Sequence, residues 1–160
     1  DFNPGVVDSY RLIGYENRDI ADKDFRNDKV DSGEVGSNHS VTAIYHLKLK
    51  SEANASKVAN VYLRYKDIDN LNSVMEINKS VELKDIKQNF SEASSSFKLA
   101  VDVADYAQIL RESNNVKGVT LNDVFNLANE LKVKTENEKI DEFAKLVEMS
   151  ISIKNNQKLE

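Results

Sequence analysis

The sequence has no cysteine, no tryptophan, a single proline and two histidines among its 160 residues. Without cysteine there are no disulfides, no thiolate metal ligands and no cysteine nucleophile. Two histidines build an ordinary zinc site only if carboxylates complete it. No uninterrupted run of about 18 apolar residues occurs, so no stretch reads as a membrane-spanning helix. Positive charge is also scarce, with 22 Lys and Arg against 27 Asp and Glu and a net charge of −5. Both halves share the acidity: 13 basic and 15 acidic side chains in residues 1–90, then 9 and 12 in residues 91–160. With no basic stripe, counterion release cannot drive nucleic-acid binding, and an acidic surface is repelled by anionic lipid. Neither nucleic acid nor direct membrane insertion is expected of this chain. Gly33 and Gly36 match neither the dinucleotide fingerprint nor the phosphate loop, and GxSxG is absent. No residue is identified as catalytic and no cofactor is implied, so the chain is not expected to be an enzyme.

What is present is a change of period. From Val41 to Lys50, Val41, Ala43, Tyr45, Leu47 and Leu49 alternate with Thr42, Ile44, His46, Lys48 and Lys50. A period of two with one apolar face marks a half-buried strand. Ala59, Val61, Leu63 and Tyr65 repeat the pattern, as do Met75, Ile77, Val81 and Leu83, where Lys79 is the one polar interruption. SYRLIGYE at 9–16 is a fourth, weaker strand, with Gly14 marking a bulge. Clean alternation predicts an antiparallel sheet with one wet face.

After SEASSS at 91–96 the period becomes helical. Phe97 to Leu110 is apolar around most of its circumference, broken by a polar stripe of Lys98, Asp102, Asp105 and Glu112, and is expected to be buried on most sides. Thr120-Leu-Asn-Asp123 resembles a capping box and leads into Leu121, Val124, Phe125, Ala128 and Leu131. Ile140, Phe143, Ala144, Val147 and Ile151 form the stripe of a third helix. The expected fold is α+β: an antiparallel β-sheet, alone or as half of a sandwich, in residues 1–90, packed with three C-terminal α-helices in residues 91–157. Together these form one compact domain. The chain opens on DFNPG, a strand-to-turn transition without methionine, and reads as excised from a longer protein.

The densest cluster of chemistry lies between Glu16 and His39. Glu16–Glu34 holds seven acidic and four basic residues. A calcium loop needs oxygen ligands at alternate positions, a central glycine and a closing glutamate. Asp22, Asp24, Asp28, Asp31, Gly33 and Glu34 do not keep that register, and Lys23, Arg26 and Lys29 would repel a cation. The segment therefore reads as a solvated loop, with a weak cation or partner site at Asp28, Asp31 and Glu34 as the alternative. A metal site is not assigned. His39 lacks an evident partner and nucleophile, and reads as bonded to neighbouring backbone. His46 reads as solvent-exposed. Tyr45 and Tyr65 fall on apolar faces and Tyr106 within the buried helix, which leaves Tyr62 as the one outward tyrosine able to stack on a sugar.

The blocks FNPGVVDSYRLIGYENR, DFRNDKVDSGEVGSNHSVTAIY, VYLRYK and FKLAVDVADYAQILRES resemble the C-terminal domain of unknown function of bacterial von Willebrand factor type A domain-containing proteins, the YfbK-like group. The resemblance runs from Phe2 to about Val147. Where the group tends to have a small residue within GSNH, this sequence has Asn38. The resemblance implies an exported bacterial parent, periplasmic or anchored at the cell envelope, with a von Willebrand factor A domain just before Asp1. That domain carries the metal-dependent adhesion site, so no metal ligand is implied here. The expected role is a non-enzymatic structural or interaction module that supports or orients the A domain, or contacts a protein ligand. The alternative is a cation- or glycan-binding module using the acidic loop at 16–39, with Asp28, Asp31, Glu34, His39 and Tyr62 as the interaction residues. A hydrolase would require His39, His46 and acidic residues to converge in one cleft.

Overall fold

The computed structural model describes residues 1–14, 21–30, 35–52, 55–70, 73–116, 118–135 and 137–156. Among the described residues four strands precede three α-helices: β1 (Val7–Ile13), β2 (Ile44–Leu49), β3 (Lys57–Lys66), β4 (Val74–Glu82), α1 (Ser95–Leu110), α2 (Leu121–Thr135) and α3 (Glu138–Asn156). This is the α+β arrangement that the change of period predicts. The chain divides into two compact units, Asp1–Gln88 with the strands and Asn89–Glu160 with the helices.

The strands form two antiparallel pairs, β1 with β2 and β3 with β4, rather than one four-stranded sheet. The N-terminal segment takes the second edge of β3 near its start. Phe2 bridges Ala59. The Asp1 amino group donates to the Asn60 carbonyl at 2.9 Å, and the Asn60 and Asn3 amides bond to the Asp1 and Val58 carbonyls at 2.8 Å. The chain then turns at Asn3-Pro4-Gly5-Val6, where the Val6 amide donates to the Asn3 carbonyl at 3.0 Å. The Gly5 amide donates to Asn3 Oδ1 at 2.9 Å. Proline at the second position of such a turn supplies a φ already fixed near the required value. Directly after it Val6 and Val7 are buried against Val58, with Phe2, Leu47, Leu83 and Ile86 around them.

Two strand expectations are corrected. Gly14 is no bulge: it has φ +75° just beyond the end of β1, and the register shift lies between Val7 and Ser9. The alternating apolar residues of β3 and β4 do not all point into a core. Val58 and Ala59 are buried, whereas Val61, Leu63, Tyr65, Met75 and Ile77 are exposed. A two-stranded ribbon needs a second layer to bury a face, and the N-terminal turn supplies one only at the start of β3.

The helical unit follows its sequence signals closely. Ser94 Oγ accepts from the Phe97 amide at 3.2 Å and caps α1. Thr120 and Asp123 form the capping box of α2: the Thr120 amide donates to Asp123 Oδ2 at 2.8 Å, and the Asp123 amide donates to Thr120 Oγ1 at 3.3 Å. Asn137 Oδ1 accepts from the Lys139 amide at 3.0 Å as α3 begins. Leu121, Val124, Ala128 and Leu131 of α2 are buried, as are Ile140, Ala144 and Val147 of α3. Helix α1 is set differently from expectation. Its polar stripe turns inward, burying Lys98 and Asp102, while Phe97, Val103 and Leu110 are exposed. Tyr106 lies on the same side as that stripe and packs with Leu121, Val124 and Val147. Its hydroxyl bonds Ser150 Oγ at 2.7 Å, and its ring meets Phe143 edge-on at 5.5 Å. One turn before Asp102, the Lys98 ammonium is satisfied by the Ser91 carbonyl at 2.7 Å.

Candidate interaction surface

The β3–β4 hairpin has two chemically different faces, set by strand alternation and a fixed register. Tyr62 lies opposite Asn78 and Arg64 opposite Glu76, while Leu63 lies opposite Ile77 and Tyr65 opposite Met75. Across Tyr62–Tyr65 and Met75–Asn78, even-numbered residues thus make a polar face and odd-numbered residues an apolar one.

On the polar face, part of the acidic segment is tied down. Residues 21–30 coil through successive turns, with the Asp24 amide on the Ala21 carbonyl at 2.7 Å and the Asn27 amide on the Asp24 carbonyl at 3.0 Å. The turns present Arg26 and Asp28 to the hairpin. Arg26 holds Glu76 bidentately, Nη2 to Oε1 at 2.9 Å and Nε to Oε2 at 3.2 Å. Its guanidinium also lies 5.6 Å from the ring centres of both Phe25 and Tyr62. Arg64 donates to Asp28 Oδ1 at 2.7 Å and stands 3.8 Å from Glu76. Two guanidinium groups therefore meet two carboxylates. The hydrogen bonds from Arg26 lower the Glu76 carboxyl below its ordinary value, and Glu76 in turn raises Arg26.

This geometry decides the sequence candidates differently. Asp28 and Tyr62 are brought into one cluster, but each has a partner: Asp28 is paired with Arg64, and the Tyr62 ring carries the Arg26 cation. His39 is elsewhere, in the turn starting at Gly36. Its backbone amide donates to the Gly36 carbonyl at 3.1 Å, and its ring lies so close over Gly36 that a Cβ there would sit 2.8 Å from Nδ1. Asn38 takes φ +60° in this turn, a conformation that asparagine tolerates better than most residues. Asp31 and Glu34 lie outside the described residues. Among the described residues no three His, Asp or Glu side chains converge on a point that could hold a metal. Arg26, Arg64 and Glu76 were not singled out from the sequence. The signal available was Arg64 and Glu76 falling opposite each other once the two alternating strands pair antiparallel.

The other face of the hairpin carries Val61, Leu63, Tyr65, Met75 and Ile77, between 44% and 56% exposed, with Lys79 opposite Val61. A contiguous exposed apolar patch marks a contact surface more often than a scattered surface residue does. Two depressions of the strand unit lie around Phe2 and Pro4, with volumes of about 220 and 360 Å³. In the helical unit, Asp102 is 3% exposed and its Oδ2 has no hydrogen-bond partner. Burial, helped by the nearby Asp105 carboxylate, pushes its carboxyl from 3.8 up to about 7.

A curated relative from Escherichia coli (strain K12), described as uncharacterized protein YfbK, is 27% identical over 169 residues, covering 94% of this chain and 28% of the relative. The chain thus spans less than a third of the curated relative it matches. No solved structure matches the chain. The family model described as uncharacterized protein YfbK, C-terminal, matches in two stretches, residues 1–56 and 48–153. Together these cover nearly the whole sequence, and the chain belongs to that family.

Proposed function

We propose that this chain is a non-enzymatic interaction module within a longer, exported cell-envelope protein, and that its contact surface is the apolar face of the β3–β4 hairpin. One observation carries the reading: Val61, Leu63, Tyr65, Met75 and Ile77 form a single face of two paired strands and are all exposed. Such a face contributes roughly 25 cal/mol per Å² when a partner covers it. The greater length of the curated relative gives that partner a source in the same polypeptide. The resemblance to the C-terminal domain of von Willebrand factor type A proteins favours the A domain itself. On this reading the module supports or orients that domain.

The cation- or glycan-binding alternative receives less support, because Asp28 and Tyr62 are engaged by Arg64 and Arg26 and His39 lies in the turn at Gly36. The test is binding in trans between this chain and the separately expressed A domain of the same protein, followed by calorimetry. The paired substitution Leu63→Lys and Ile77→Lys should weaken binding about tenfold or more, whereas Lys87→Glu should leave it unchanged. Equal affinities for all three proteins, or no binding by the parent sequence, would contradict the reading.

A further inference from the structure

The hairpin has a free edge as well as an open face, and the hydrogen bonding shows which groups line it. Asn60 turns its amide and carbonyl to the N-terminal segment, away from β4, and the Val58 carbonyl does the same. Odd-numbered β3 residues must therefore bond β4 through their partners Met75, Ile77, Lys79 and Val81. By the same alternation, Glu76, Asn78 and Ser80 direct their backbone groups outward. The next outward amide, that of Glu82, is capped by Asp85 Oδ2 at 2.9 Å. The amides of Glu76, Asn78 and Ser80 have no backbone partner among the described residues. Three successive open donor and acceptor pairs beside an exposed apolar face form a template for one more strand.

Charge specifies that strand further. Lys79 is exposed on the apolar side, next to Ile77 along the strand, and makes no ion pair among the described residues. A strand laid on β4 is best matched if it sets apolar residues beside Met75 and Ile77 and an acidic residue beside Lys79. β4 cannot supply this to a second copy of itself, since its own residues on that side are Met75, Ile77, Lys79 and Val81, without an acid. Antiparallel self-pairing sets Lys79 against an apolar side chain or against its own copy.

We infer that β4 is extended by an additional strand from the same polypeptide outside residues 1–160, with an acidic residue facing Lys79 and apolar residues facing Met75 and Ile77. The source of the strand rests on the proposed function, in which this module belongs to a longer chain. The test uses the full-length protein. Amide exchange at Glu76, Asn78 and Ser80 should be slowed about tenfold or more relative to unpaired amides, and Lys79→Glu should release that protection while Lys87→Glu does not. A photo-reactive residue placed at position 77 should cross-link within the monomer to a segment outside residues 1–160, identified by mass spectrometry. Unprotected exchange at all three amides would overturn strand addition even if the face proves to be covered. A cross-link to a second copy or to another protein would overturn the source of the strand, yet leave the interaction reading standing. Loss of both protection and cross-linking would remove both.

Discussion

Arg64 of β3 and Asp28 of the acidic segment form an ion pair of 2.7 Å across the polar face of the hairpin, linking residues 36 apart in sequence. Asp28 is thereby held by a protein cation, and the segment acts as a clasp. Arg64 is the more buried partner, with 17% of its side chain exposed. Replacing Arg64 with Met should destabilise the strand unit by about 1 kcal/mol, because Glu76 loses one of its two cations as well. Asp28→Asn should cost less. A double-mutant cycle by denaturant unfolding should give a coupling of about 0.2–1 kcal/mol that shrinks in high salt.

The same pairing bears on calcium. With Asp28 neutralised by Arg64, millimolar calcium should leave the unfolding temperature of the protein unchanged. Binding at a hundredfold excess over the dissociation constant would stabilise by about 2.7 kcal/mol, a shift readily seen in a thermal melt.

Asp102 sets an unusual pH dependence for the helical unit. Its carboxyl is raised to about 7 by burial, so its protonated form favours folding. That contribution is fully present below the unfolded value near 3.8 and is lost as pH rises through about 7. Asp123 and Asp141 behave oppositely, because Thr120 lowers the first and Lys132 and Lys145 lower the second. Their contribution is present above the unfolded value and is lost as pH falls. Asp102→Asn should flatten the decline between pH 4 and 7 and raise stability at pH 8 by an amount on the order of 1–3 kcal/mol. Unfolding curves across that range check the sign.

Packing of the helices rests on Leu131 and on the Tyr106–Ser150 bond. Leu131 is fully buried, and Leu131→Ala should cost about 2–5 kcal/mol. Tyr106→Phe removes the 2.7 Å bond but leaves Ser150 bonded to the Leu146 carbonyl at 3.0 Å. It should therefore cost only about 0.5–1.5 kcal/mol.

The helices were legible in the sequence because their signals are local. The capping box at Thr120–Asp123 and the stripes of α2 and α3 each lie within a few turns of chain. The rotation of α1 was not legible. The polar stripe of Lys98 and Asp102 reads as solvated, but it lies on the side of α1 where Tyr106 packs with Leu121, Val124 and Val147, residues distant in sequence. The strands were legible as strands, but not their division into pairs. The bonding of Asp1–Asn3 to Val58 and Asn60, on the other edge of β3, likewise has no periodic signature. Of the candidate site, Asp28 and Tyr62 were found but not their partners, since Arg26 and Arg64 become neighbours of Glu76 only through the fold.

The most direct test of the interaction surface uses the two methionines of the chain, Met75 on the apolar face of the hairpin and Met149 on α3. Both are exposed here. Peroxide oxidation, followed peptide by peptide, compares Met75 in this chain with Met75 in the full-length protein, each normalised to the denatured state. The account predicts near-denatured reactivity of Met75 in the isolated chain and protection of about tenfold or more in the full-length protein. Equal reactivity of Met75 in both would contradict it.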